Sequence, residues 1–153
     1  MKIITYPNPI LEKRTKKVKD PLAPEIQKLI KKMVATMEEN EGAGLAAPQV
    51  GESLRICTIQ DGGEIYVLIN PQITTFSREK AIFEEGCLSF PKRFIPIKRS
   101  KRIKVRYTDE SGNKIKLKAN DLLARIIQHE TDHLDGILFI ERVKKINSEK
   151  ASK

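Results

Sequence analysis

The sequence predicts an α+β domain, on three observations. Ile26, Leu29, Ile30, Met33, Val34 and Met37 recur at spacings of three and four, the period of an amphipathic helix near the N-terminus. Between residues 54 and 117, short runs rich in β-branched residues, some alternating apolar with polar, read as strands. Leu122, Leu123, Ile126 and Ile127 then return to helical spacing.

The elements follow in order. Asp20 can cap the first helix with Pro21 at its first position, and the pattern runs to about Glu41. Residues 54–59, 65–70 and 72–76 read as three short strands. A hairpin follows, with Ile103, Val105 and Tyr107 alternating on the outward run. Its turn falls at Asp109-Glu110-Ser111-Gly112, and Ile115 and Leu117 alternate on the return. The second helix is expected from Asn120, which suits an N-cap, to about Leu134, with Gly136 as its stop signal. Residues 137–140 are expected to pack back on the core. Residues 1–141 are assigned to a single domain, and 142–153 to a short basic tail expected to be poorly ordered.

Composition limits the class. A chain of 153 residues is one domain, long enough to bury about two-thirds of its unfolded surface. Apolar residues make up 39%, and none of their runs is long enough for a membrane span. No apolar signal region opens the chain, and two cysteines do not make a disulfide framework. A reducing compartment is expected: the bacterial cytoplasm, or an organelle stroma or matrix after loss of a presequence.

The second helix carries His129-Glu130-Thr131-Asp132-His133, an H-E-x-x-H pattern that holds both histidines of the chain. Histidines four apart stand on one helical face, so both imidazoles can reach one metal ion. Glu130 beside them can act as general base on a metal-activated water. A third ligand is needed. Phe139 stands where a longer form of the motif would place another His. Cys57, in a strand-like run, reads as a small buried hydrophobe. Cys87, between Gly86 and Pro91, has open backbone around it and is favoured, though a structural thiol fits the same residues. Gly42-Ala43-Gly44-Leu45-Ala46-Ala47-Pro48-Gln49 is a loop of small residues around one long amide. Such a loop lets backbone approach a ligand, and Gln49 can donate to a carbonyl oxygen that gains charge.

Three segments together resemble the peptide deformylase family: Gly42 to Gln49, Glu85-Gly86-Cys87-Leu88-Ser89, and Gln128-His129-Glu130-Thr131-Asp132-His133. The opening Tyr6-Pro7-Asn8-Pro9-Ile10-Leu11 is also similar. The resemblance covers roughly residues 3 to 141. It implies mixed or antiparallel β-sheets wrapped around the central H-E-x-x-H helix. It implies removal of the formyl group from the N-terminal formyl-methionine of newly made proteins. It assigns Cys87, His129 and His133 to one divalent metal, Fe2+ natively, with Zn2+, Ni2+ or Co2+ as substitutes. Glu130 is then the base, and Gln49 with the Leu88 backbone N–H the oxyanion donors. Ala43, Phe83, Leu122 and Ile126 become the methionine pocket, with the Arg125 stem at its rim and its charge in water. Gly44 and Gly86 pair with the peptide backbone, and Phe90 covers the site. Pro91 to Pro96 is shorter than in many relatives, which leaves open whether Arg93 replaces a family arginine.

The net charge of +9 supports a rival class. Residues 92 to 106 hold eight Lys or Arg and no acid, a stripe that could contact ribosomal RNA weakly. The plainer reading is a solvated strand face, with Lys104 and Arg106 alternating with inward Ile103 and Val105. A basic, metal-stabilised RNA-binding protein and a metallopeptidase of other specificity are the alternatives to the expected monomeric deformylase.

Overall fold

A computed structural model describes residues 1–143; the tail expectation for 144–153 lies outside the described residues. The first helix, α1, spans Pro24–Glu39. It starts later than the sequence predicts because Pro24 disfavours helical backbone at Ala23. Asp20 caps a turn instead, its Oδ1 accepting from Leu22 N at 3.1 Å.

Seven strands follow: β1 (Gly44–Ala46), β2 (Ile56–Asp61), β3 (Glu64–Phe76), β4 (Lys80–Cys87), β5 (Phe90–Ser100), β6 (Arg102–Thr108) and β7 (Lys114–Asn120). The seven strands pair antiparallel, in one sheet of order β1-β2-β3-β6-β7 and a ribbon of β4 with β5. The two strands predicted for 65–76 are one strand with register shifts between Ile69 and Gln72 and between Ile73 and Thr75. Asn70 takes φ +53° at the first shift. Its side-chain amide donates to Val18 O and its oxygen accepts from Val18 N, both at 2.9 Å.

β4 and β5 were not legible as strands, because Gly86 and Pro91 read as breaks. Both sit inside the ribbon. A two-stranded ribbon leaves each strand one free edge, where a proline loses no ladder bond. Much of both faces is exposed, so no alternation marks it.

The second helix, α2, spans Asp121–Leu134 and follows β7 without a loop. Asn120 precedes it as predicted, but its side chain makes no capping bond. Asp121 absorbs the change of direction at φ +51°, a conformation Asp tolerates better than most residues. Gly136 ends the helix at φ +74°, and a Cβ there would meet Glu12 O at 2.6 Å.

The core forms three apolar clusters, and α2 belongs to the first. One joins α2 to the inward residues of the large sheet, among them Cys57, Leu68, Ile103, Val105 and Ala119. A second lies under α1 and includes Met33, Met37, Ile56 and Ile69. A third joins Phe90 and Ile97 of β5 to Leu11, Leu138 and Phe139, so residues 137–140 pack back as expected. No helix among the described residues is long and apolar enough to cross a membrane.

Candidate metal centre

Every residue of α2 from Ala124 to Leu134 is buried, so its two histidines face protein. Cys87 reaches them from the end of β4, where a register shift after Gly86 breaks the ladder. The donor atoms of Cys87, His129 and His133 lie within 4.8 Å of one another, and Cys87 Sγ is 3.2 Å from His133 Nε2. Ligands on a tetrahedral ion with bonds of about 2.0–2.3 Å stand about 3.3–3.8 Å apart. The three donors fit an ion after small adjustment, and a thiolate with two imidazoles suits zinc, iron, cobalt or nickel.

His129 is oriented by Glu85, whose Oε1 lies 2.8 Å from Nδ1 and leaves Nε2 for the centre. Burial works against charge on His129, but hydrogen bonds to Cys87 and Glu85 win and hold its pKa up at about 10. Burial, with positive His129 and Arg99 nearby, pushes His133 well down, which keeps it neutral. An incoming ion must therefore displace a proton.

Glu85 is the hub of a buried charge network that sequence reasoning did not assign. Arg99 grips it with Nε at 2.6 Å and Nη2 at 2.9 Å, and also donates to Asp132 at 2.9 Å. Asp132 in turn takes two bonds from Arg142, at 3.0 and 2.7 Å. Arg142, placed by the sequence in the tail, is thus anchored to the motif helix. Burial raises the Glu85 pKa, but His129 and Arg99 outweigh it and hold the carboxyl at about 2. Glu85 and Asp132 carried a signal, since both lie inside the matched motifs. Arg99 carried none, being one cation in a basic run.

Arg125 corrects an expectation. Its guanidinium is buried rather than in water, donating to Glu85 and to the carbonyls of Ile97 at 2.9 Å and Ala81 at 2.7 Å. A buried carboxylate needs such partners. Phe83 is a second correction. It stands outside the cavity, 63% exposed, with the Arg125 guanidinium 5.4 Å from its ring centroid. Phe90, expected to cover the site, lines the cavity and is buried against Tyr6 and Phe139, each 5.0 Å away by ring centroid.

The remaining expected site residues line one cavity. A cavity of about 560 Å³ is lined by Ala43, Gly44, Gln49, Gly86, Leu88, Leu122, Ile126 and Glu130, with Cys87 and His129 at its base. Arg93 is on its rim. Gln49 is 1% exposed; its Oε1 accepts from Ala46 N at 2.9 Å, turning Nε2 toward Ser89 Oγ at 3.0 Å and Cys87 Sγ at 3.7 Å. Glu130 is 2% exposed, and its Oε1 has no partner. Burial raises its pKa to about 7. The arrangement puts a carboxyl that can exchange a proton beside three metal donors, facing a cavity.

Known proteins are similar to this chain in sequence and fold. The family model for polypeptide deformylase matches residues 1–149. Peptide deformylase of Thermotoga petrophila is 43% identical over 142 residues, 93% of this chain and 86% of that protein. The crystal structure of peptide deformylase from Thermotoga maritima superposes with a TM-score of 0.90 at 42% identity, covering 92% of this chain and 95% of that one. The deformylase of Synechococcus elongatus in complex with actinonin also gives 0.90, at 37% identity, covering 93% and 78%. With the motif helix, the Cys87 strand and the Gln49 loop converging on one cavity, the chain belongs to the peptide deformylase family, metal-dependent hydrolases that remove the N-formyl group from the formyl-methionine of new proteins.

Proposed function

We propose that Cys87, His129 and His133 hold one divalent ion, Fe2+ in the working enzyme and Zn2+, Ni2+ or Co2+ as substitutes. When bound, such an ion acidifies a water and polarises the formyl carbonyl. Glu130 takes the water's proton on its unpartnered Oε1 and returns it to the leaving amine as formate departs. The Gln49 amide, already turned toward Cys87, and the Leu88 backbone N–H donate to the oxygen that gains charge. The methionine side chain lies against Ala43, Leu122, Ile126 and the His129 ring, all lining the cavity. Gly44 and Gly86 offer backbone to the peptide as an added strand, a sequence-blind contact. The protein acts as a monomer on nascent chains in the bacterial cytoplasm or an organelle.

The observation that carries this reading is a buried carboxylate with a free oxygen beside three converging metal donors. The test is formate release from a formyl-Met-Ala-Ser peptide by anaerobic, iron- or nickel-loaded protein, with Glu130→Gln as control. The control should keep its metal and lose turnover. An active, metal-loaded Glu130→Gln variant would remove Glu130 as the base.

A further inference from the structure

The basic run at 92–106 is not one stripe in the fold. Arg99 turns into the Glu85 network, and Arg93 lies at the cavity rim. A denser cationic surface forms where the end of that run, on β6, pairs with β7, two strands that contain no acid. On β6, Arg102, Lys104 and Arg106 are exposed while Ile103, Val105 and Tyr107 turn toward α2. On β7, Lys114, Lys116 and Lys118 are exposed while Ile115, Leu117 and Ala119 turn inward. The antiparallel register sets Lys104 opposite Lys118 and Arg106 opposite Lys116. Like charges directly opposite across a ladder destabilise it. A face that only needed to be soluble would gain by alternating sign.

The surroundings leave this charge uncompensated. α1 packs on β1 and β2 and meets the hairpin at its turn, where Gln27 Nε2 donates to Glu110 O at 2.9 Å, while the six cations of β6 and β7 stay exposed. Glu79 pairs with Arg102 at 2.9 Å. Among the described residues, no acid makes an ion pair with Lys104, Arg106, Lys114, Lys116 or Lys118. β3, next to β6, contributes Gln72 and Thr75 there, opposite Arg106 and Lys104. Cations along each strand stand about 6.8 Å apart and the columns about 4.8 Å apart. That grid suits a chain of phosphates. The six exposed positions include no aromatic for stacking on bases and no apolar anchor for a bilayer.

We propose that the outer face of β6 and β7 binds the phosphodiester backbone of RNA, without reading its sequence. The choice of RNA over other polyanions rests on the deformylase reading, because nascent chains emerge from an RNA-rich machine. The surface itself does not depend on that reading. Binding here holds the enzyme near its substrate while the cavity stays free.

The test uses metal-loaded full-length protein and fluorescence anisotropy with a labelled RNA hairpin, comparing wild type with Lys104→Glu/Lys116→Glu. Wild type should bind with a log–log salt slope of about −3.5 to −4.5, as expected for about five phosphate contacts. The double variant should bind at least roughly tenfold more weakly, with a shallower slope. It should also melt higher, since each new Glu faces a cation across the ladder. Deformylation of a short formyl peptide, read on the same samples, should be equal in both. RNA affinity unchanged by the substitutions overturns the proposal. So does wild-type binding to phosphatidylglycerol vesicles without binding to RNA. Loss of deformylation in wild type, with RNA binding intact, would count against the catalytic reading and spare this surface.

Discussion

A side chain at Gly44 would collide with the proposed base: its Cβ would stand 2.5 Å from Glu130 Oε2 and 2.9 Å from Cδ. That contact gives the small-residue loop a physical meaning. The loop lets the carboxylate stand under the cavity as well as letting a peptide approach. Gly44→Ala must push Glu130 aside, and displacements of this size cost about 10²-fold in rate. We expect kcat/KM to fall by about that factor with metal content unchanged, as steady-state kinetics and metal analysis would show. Glu85 acts one step further back. Glu85→Gln removes the charge that Arg99 and Arg125 share, leaving two buried guanidiniums short of a partner. The expected loss is about 3 kcal/mol of stability, and metal affinity should fall about 10–100-fold because His129 loses its orienting carboxylate. Thermal melts and metal titration would check both; an unchanged affinity would mean that His129 is positioned by packing alone.

At the scale of elements, helices were read better than strands. The α1 stripe and the α2 motif each repeat over several turns, so periodicity located them, and only the α1 start was wrong. The β4–β5 ribbon left no such trace, because a ribbon with much of both faces in water needs neither alternation nor an unbroken run. Yet β4 carries Cys87 and Glu85, half of the centre's geometry. The end of α1 holds a local cost. Asn40 is its C-cap, and Glu41 follows at φ +53°, with Gly42 N donating back to Met37 O at 2.9 Å. Glycine is the residue that normally fills this left-handed position. Glu41→Gly should therefore stabilise the fold by about 1 kcal/mol, a rise in Tm of about 2–4 °C for a chain of this size. A lower Tm would show that the Glu41 side chain makes a compensating contact.

Across the whole molecule, the centre joins parts far apart in the chain. Cys87 comes from the small ribbon and the histidines from the helix that forms the main core. An ion bound there cross-links ribbon to core and favours the folded state by mass action. At a hundredfold excess over Kd the gain is about 2.7 kcal/mol, so chelation should lower Tm by about 5–10 °C. Calorimetry of the loaded and chelated protein would show it, and equal melting temperatures would mean that no ion cross-links the fold. The amino-acid sequence by itself determined the helices, the hairpin of β6 and β7 and the family, and it pointed to Cys87, His129 and His133 as the proposed ligands. These signals are local: a helical period, a strand alternation, three short motifs. Tertiary structure decided what depends on residues meeting at a distance. It buried the Arg125 charge beside Glu85, took Arg99 out of the basic run, left Phe83 outside the cavity, and set lysine opposite lysine on the outer sheet. Burial and cross-strand register belong to pairs of segments, and no single segment carries them.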